Sequence, residues 1–307
     1  MKLNGDSSIA AVSFQDCSMQ IISTMLGDKL YEISQDEQIK YPITAFAWKP
    51  TKEEGQGYQK LLGSCLDGSI VRWTQKCAAS VEHIKLTEEA KYHAIDYGGP
   101  SRFCIAGNYP SIEIWDEERM VLLQSIRDGI EPAHTNKIFT CRFVPDGTNM
   151  IYSGGWDNAV RFWDCRTGEK AMGLLGPQIN GETVDVSQDM TTLVTGGGTL
   201  GEGIQLWDMR NLSKPTSTIN WETGKPNPMV YACKFVPDTS LIIAGSRDSR
   251  AAKCFDFKTG NMIKEFTTIQ DDCYALDINK AGTLVAFGDG NGWLNMENIV
   301  YQRVVDE

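Results

Sequence analysis

Three histidines standing far apart, and nine cysteines with no Cys-x-x-Cys pair among them, leave little with which to build a zinc site. An odd cysteine count fits no closed disulfide framework. Cys65, Cys104, Cys141, Cys233 and Cys254 fall inside apolar, strand-like runs, so reduced and buried thiols are expected. No run approaches the ~18 apolar residues of a membrane span, and the Lys2-Leu-Asn-Gly-Asp6 stretch after Met1 has no apolar leader core. The expectation is a cytoplasmic chain without membrane insertion. Positive charge is short as well: 29 Lys and Arg against 40 Asp and Glu give a net charge of −11. That argues against generic nucleic-acid binding, which calls for a basic field. No paired carboxylates at reactive spacing and no metal-ligand cluster stand out, so neither a metal nor another cofactor is expected.

What the chain does contain is short strands punctuated by turns. The stretch Ile151-Tyr-Ser-Gly-Gly-Trp-Asp-Asn-Ala-Val-Arg-Phe-Trp-Asp164 is the clearest. Ile151 to Ser153 is rich in strand formers, Val160 and Phe162 begin a second alternating run, and Gly154, Gly155, Asp157 and Asn158 supply turn chemistry between them. Upstream lie His134, the strand-like Ile138-Phe-Thr-Cys-Arg-Phe143 and the turn Pro145-Asp-Gly147.

This unit resembles one WD repeat, the four-stranded blade of a β-propeller. In that family a His before the first strand, a Ser or Thr on the second, an Asp in the following turn and a Trp on the third form a hydrogen-bonded set. The resemblance assigns those places to His134, Ser153, Asp157 and Trp163. Such a set ties the loop entering a blade to the blade itself. It also contains Ser, His and Asp, but no Gly-x-Ser-x-Gly elbow surrounds Ser153, and the spacing of all four residues fits the repeat.

Self-similarity extends along the chain. The first-strand pattern apolar-x-x-apolar-x-aromatic of Ile138 to Phe143 is read again at Ile9 to Phe14, Ile43 to Trp48, Tyr92 to Tyr97, Val230 to Phe235 and Cys273 to Ile278. A weaker copy runs from Gly181 to Val186. Spacings surround the ~40–45 residues of a WD repeat. Each first strand is followed by a second-strand, turn, third-strand unit, read in blade one as Gln20 to Ile33, with Gly27 in place of the turn aspartate and Ile33 in place of the Trp. Trp115-Asp116, Trp163-Asp164 and Trp207-Asp208 repeat the family's dipeptide. The resemblance therefore implies an all-β fold over residues 1–307: a single seven-bladed β-propeller of four-stranded antiparallel blades. The run Ile299 to Val305 is expected to supply the outer strand of blade seven, with the residues before Ser8 packed beside it or frayed.

Other features have ordinary readings. Gly196-Gly-Gly-Thr-Leu-Gly201 fits a dinucleotide-binding pattern, but a strand follows it where a helix is needed. Asp289-Gly-Asn-Gly292 lacks the Glu that would complete a calcium loop. Lys52 to Gly57 reads as a solvated insertion, and Arg247, Arg250 and Lys253 as solvated positions around a turn.

The resemblance implies a rigid platform that binds other proteins or peptides within a larger complex and has no chemistry of its own. In WD repeats, two positions per blade face the central channel on the side carrying the second-turn loops. Carried onto this sequence they include Ala10 and Leu26 in blade one. The larger groups are His93, Phe139, Trp156, Glu182, Tyr231, Arg247 and Tyr274, and these are the candidate partner-binding residues, Arg247 for an acidic group and Glu182 for a basic one. The expected function is a non-catalytic scaffold or adaptor that holds a peptide or loop at the channel mouth. Alternatives are a methylesterase-like WD-repeat hydrolase, a reader of modified peptides, and a structural subunit of a cytoskeletal or ciliary assembly.

Overall fold

Strands alternate with tight turns throughout, and they pair in chain order into seven antiparallel sheets. The computed structural model describes residues 1–33, 41–50, 59–75, 79–88, 90–126, 134–145 and 149–299. Six sheets have four strands and the seventh has three among the described residues. The inner strands of neighbouring sheets touch, the first meeting both the second and the seventh, and blades four and five are joined by Thr140 Oγ1 donating to Gly181 O and by a shared core, so the sheets are the blades of a closed seven-bladed β-propeller. No described helix is long and apolar enough to cross a membrane.

Blade four shows how the local sequence dictates the shape. Its strands are Ile138–Phe143, Met150–Gly155, Ala159–Asp164 and Glu169–Leu175, counted outward from the channel. Buried residues run along the middle two, interrupted only by the half-buried Arg161, as expected of strands covered on both faces. Gly155 ends the second strand because a Cβ there would stand 2.0 Å from the Lys137 carbonyl oxygen. Asn158 then takes a left-handed φ of 56°, which Asn tolerates in a tight turn.

Blade one differs from the sequence expectation. Ile9–Ser13 is its second strand, Met19–Ser23 its third and Lys29–Ile33 its outer strand, while Lys2–Leu3 is the inner one. The residues before Ser8 neither fray nor join blade seven. Inner and second strands are both buried on two faces, so a pattern of apolar spacing cannot tell one from the other. Asp16, not Gly27, stands in the turn between the second and third strands, where its carboxylate accepts from Ser18 N at 2.9 Å. Ile22 takes the place of the Trp, since it pairs with Ala10 as Trp163 pairs with Ile151. Ala10 is fully buried, and Leu26 lies in the turn after the third strand, on the face opposite Trp156. Ile299 N donates to Thr283 O at 2.7 Å. The rest of the run to Val305 lies outside the described residues, as do Lys52 to Gly57 and the Asp-Gly of the Pro145 turn.

The core is divided by seam. Ile9, Met19, Ile43 and Trp73 join blades one and two, Tyr92 and Phe103 pack with Leu62 between two and three, and Val144, Tyr152 and Trp207 span four and five. Burying one such large side chain contributes roughly 1.5–3 kcal/mol. The seam between blades seven and one has the thinnest core, with Leu3, Ala10 and Ala286 fully covered and Met1, Leu294 and Met296 packed around them. All eight described cysteines are free of disulfides and buried.

Polar side chains reinforce the seams from inside the channel. The register against the second strands places Lys2, Ala47, Asp96, Arg142, Asp185, Lys234 and Asp277 at one level, one from each blade. Each aspartate reaches into the next blade. Asp96 accepts from Phe143 N at 2.9 Å, Asp185 from Phe235 N at 2.9 Å, and Asp277 from Leu3 N at 2.7 Å. Lys234 Nζ lies 2.6 Å from Asp277 and 3.0 Å from Glu182, and Lys2 Nζ lies 3.5 and 3.6 Å from the same two carboxylates. Burial opposes ionisation of Glu182 and Asp277, but Lys2 and Lys234 outweigh it and hold both carboxyls below their usual range.

Candidate functional site

Above the charged level the channel opens into a cavity of about 320 Å³. Six of the seven candidate residues line it: His93, Phe139, Trp156, Glu182, Tyr231 and Tyr274. Arg247 stands beside the cavity without lining it. Met1, Thr44, Ala45, Asn180, Gly181, Ala275 and Leu276 complete the wall.

One side of the wall is a column of rings. His93 stacks on Phe139 with centroids 4.8 Å apart at 19°, Phe139 lies 5.1 Å from Trp156 at 35°, and Lys137 Nζ sits 4.8 Å over the indole. Trp156 Nε1 donates to Asn180 Oδ1, which fixes the ring although it is 38% exposed. On the other side Tyr231 and Tyr274 meet edge to face at 5.3 Å. Tyr274 OH donates to Asp272 at 3.3 Å, and Arg247 Nε lies 3.8 Å from the Asp272 carboxylate. Arg247 is thus half-exposed and loosely paired, able to turn toward an acidic group. Glu182 is already engaged by two lysines, which leaves it less to offer a basic one.

His93 Nε2 is buried with no hydrogen-bond partner among the described residues. Burial, with Lys137 and Lys91 nearby, lowers its pKa from 6.5 to about 4. The imidazole is therefore neutral at pH 7, a donor or acceptor waiting for a guest. The sign of the pH dependence follows. Below 6.5 the unfolded chain takes up a proton that the folded chain refuses until about 4. Stability should fall across that window and level off beneath it. His134, also lowered by burial, adds a loss of the same sign. His93→Phe should remove up to about 2 kcal/mol of the acid-side loss, read as urea midpoints between pH 7 and 4. An unchanged pH profile would refute this.

The Ser, His and Asp of blade four form a chain of the kind a hydrolase uses. His134 Nδ1 donates to Asp157 Oδ1 at 2.9 Å, Ser153 Oγ donates to His134 Nε2 at 2.7 Å, and Trp163 Nε1 donates to Ser153 Oγ at 2.9 Å. Ser153 is fully buried and His134 is 1% exposed. A nucleophile needs a free lone pair facing substrate; here the indole occupies the hydroxyl oxygen and protein covers it. The carboxyl of Asp157 is pushed to about 2, because His134 and Arg161 outweigh the effect of burial. This geometry makes the set a clamp on blade four. In blade two Gly63 holds the place of Ser153, so Trp73 Nε1 has no hydrogen-bond partner among the described residues.

Among the described residues one thiol, carboxylate and imidazole come together: ligand atoms of Cys65, Asp67 and His83 lie within 4.8 Å of one another. Ser69 Oγ bridges them, 2.7 Å from His83 Nε2 and bonded to Asp67. Burial pushes the Cys65 thiol up to about 12, and Lys85 Nζ stands 3.8 Å from Asp67. A protonated thiol and a neighbouring ammonium both oppose a divalent cation, so the group is a hydroxyl-centred clasp of the turn. Gly196 to Gly201 likewise forms a turn between two strands. In the basic cluster, Lys253 is not solvated: it is 3% exposed, 5.3 Å over the Trp221 ring and 3.4 Å from Glu222.

Sequence reasoning missed the charged level of the channel. Its signal was present as a charged residue just before the last apolar or aromatic residue of the first-strand pattern, at Asp96, Arg142, Asp185, Lys234 and Asp277. Met1 and Asn180 had no such signal.

Comparison with known proteins agrees with the architecture. The family model "WD domain, G-beta repeat" matches residues 127–164 and 214–251. The chain is 27% identical over 247 residues to a guanine nucleotide-binding protein subunit beta of Oryza sativa subsp. indica, covering 75% of this chain and 59% of that protein. It is 28% identical over 142 residues to a ribosome biogenesis protein WDR12 homolog of Arabidopsis thaliana, covering 46% of this chain and 31% of that one. The alignments thus reach less than two thirds of these relatives. The solved RRP9 WD40 repeats superpose with a TM-score of 0.76 at 14% identity, over 94% of this chain and 86% of theirs. The ring is thus a seven-bladed β-propeller similar to the solved WD40 repeats, and residues 127–164 and 214–251 match the WD repeat model.

Proposed function

We propose that this chain is a non-catalytic interaction scaffold that holds a peptide or loop of another protein at the channel mouth. One observation carries the reading: aromatic side chains from blades three, four, six and seven converge on a single open cavity. Aromatics and arginine contribute most at interfaces, since they bury much area at low entropic cost and still hydrogen-bond. The neutral, unpartnered His93 nitrogen and the loosely paired Arg247 add polar groups that fix a guest's orientation. The relatives matched here include a subunit of a guanine nucleotide-binding protein, which accords with work inside an assembly. The test is capture of co-purifying proteins by wild type, Trp156→Ala and Arg247→Ala. Each change should weaken the main partner by ~2 kcal/mol or more with an unchanged melting temperature. If the double variant captures every partner at wild-type level, the mouth is not the binding surface.

A further inference from the structure

Opposite, unpaired charges flank the mouth cavity. On the side of blades three and four, Lys137 Nζ sits 4.8 Å over the Trp156 ring, and Lys137 and Lys91 both help hold the His93 imidazole neutral. Among the described residues neither lysine has a carboxylate within ion-pair distance. On the side of blade seven the free charges are negative. A Cβ at Gly290 would stand 3.0 Å from Asp271 Oδ2 and 3.2 Å from Tyr274 Cε2, so the Asp271 carboxylate borders a ring of the cavity wall. Asp289, 9% exposed, accepts from Asn291 N at 3.1 Å and Trp293 N at 2.9 Å through Oδ1, while its Oδ2 has no hydrogen-bond partner among the described residues. Trp293 stands in the same turn with 66% of its surface exposed. Arg247 is shared between Asp248 and Asp272, at 3.9 and 3.8 Å, and no described cation pairs with Asp271 or Asp289.

We propose that the mouth selects its guest by charge order: a protein segment with an acidic residue at Lys137 and Lys91, an apolar or aromatic side chain in the cavity, and a lysine or arginine at Asp271 and Trp293. This rests on the mouth being the binding surface, and it names the chemistry of the segment. The cavity, at about 320 Å³, is at the small end of ligand-holding pockets, with room for side chains of an extended segment and not for a folded lobe. Its rings offer the apolar centre the area from which affinity comes. The flanking charges are half-buried or exposed and screened by salt, so they add little affinity and fix orientation instead. An indole beside carboxylates suits a lysine or arginine, since the ring face attracts the cation and the stem covers the ring. Trp156 shows that arrangement within the chain itself, with Lys137 over its face. The buried charge of Asp289 adds to the negative potential on that side. A segment acidic at both ends would meet Asp271, and one basic at both ends would meet Lys137, so either is rejected.

The test is selection on the full chain from a library of random short segments displayed between flexible glycine-serine flanks. Segments that wild type holds and Trp156→Ala releases should carry an apolar residue between an acid and a base. Lys137→Gln should weaken such a segment about threefold to fivefold at low salt, and should have no effect on the same segment once its acid is changed to Gln. Asp271→Asn keeps the acceptor for Asp272 N. It should show the same loss, silent once the base of the segment is changed to Gln. Melting temperatures check that both variants are folded. The proposal is overturned if the recovered segments show no charge order, if either neutralised variant holds them as wild type does, or if the losses persist after the charges of the segment are removed. The mouth reading then survives, because the segments still depend on Trp156. If no segment is recovered that Trp156→Ala releases, the mouth reading falls and the charge order falls with it.

Discussion

Asp277→Ala is expected to lower the free energy of unfolding by about 3–5 kcal/mol, the largest single loss in the channel. The carboxylate is 7% exposed, bonds Lys234 Nζ at 2.6 Å, lies 3.5 Å from Lys2 Nζ and accepts from Leu3 N at 2.7 Å. Removing it strips two buried cations of a partner and leaves a buried amide unsatisfied. It does so at the seam with the thinnest apolar core, where least else holds blade seven to blade one. Asp277→Asn keeps an acceptor for Leu3 N but not the charge, so it should recover part of the loss. Urea midpoints of the two variants measure the split. If Asp277→Ala unfolds at the wild-type midpoint, the inner strand of blade one does not close the ring.

The second large effect is expected at Asp157→Ala, at about 3 kcal/mol. Its side chain is 2% exposed and serves His134 Nδ1 at 2.9 Å and Arg161 at 2.6 Å, so the truncation leaves an imidazole and a guanidinium without their acceptor. His134→Ala removes one partner only and should cost less, roughly 1–3 kcal/mol. Acid should also erode the Asp157 contribution. Its carboxyl is held near 2 in the folded chain against 3.8 ordinarily, so the stabilisation is full above 3.8 and is lost as pH falls toward 2. Melting curves decide between clamp and catalyst. If both variants melt as wild type does but abolish an ester hydrolysis, the clamp reading is wrong.

The ring was legible in the sequence because a blade covered on both faces imposes its spacing on every copy, and the full set from His134 to Trp163 carries the resemblance to a WD repeat. Blade one was not, for the same reason in reverse. Ile9 to Phe14 fits the apolar spacing of a true inner strand, and the inner strand here is two residues long, too short to show a period. The residues counted from the inner-strand pattern line the cavity in blades two to seven, as Thr44, His93, Phe139, Glu182, Tyr231 and Tyr274; of those counted from the turn aspartate, Trp156 does and Arg247 does not. Ala10 and Leu26 failed with blade one. Arg247 stands beside the cavity and not in its wall because its turn, with Asp248 and Arg250 at positive φ, follows a path of its own. No local signal announced that Glu182 would be taken by Lys2, because that contact joins residues at opposite ends of the chain.

Alternation cannot close on an odd number. Going round the charged level from blade three, the signs run negative, positive, negative, positive, negative and, at Lys2, positive again, six charges without a clash. A seventh charge of either sign would stand next to its like, Lys2 on one side or Asp96 on the other. Blade two resolves the parity by carrying Ala47, and its seam to blade one is bridged instead by a neutral donor, Trp48 Nε1 to Lys2 O at 3.0 Å. The neutral place marks an origin in an otherwise repeating ring. It makes the blades non-interchangeable, so a tandem duplication of any charged blade by unequal recombination would set two like charges side by side.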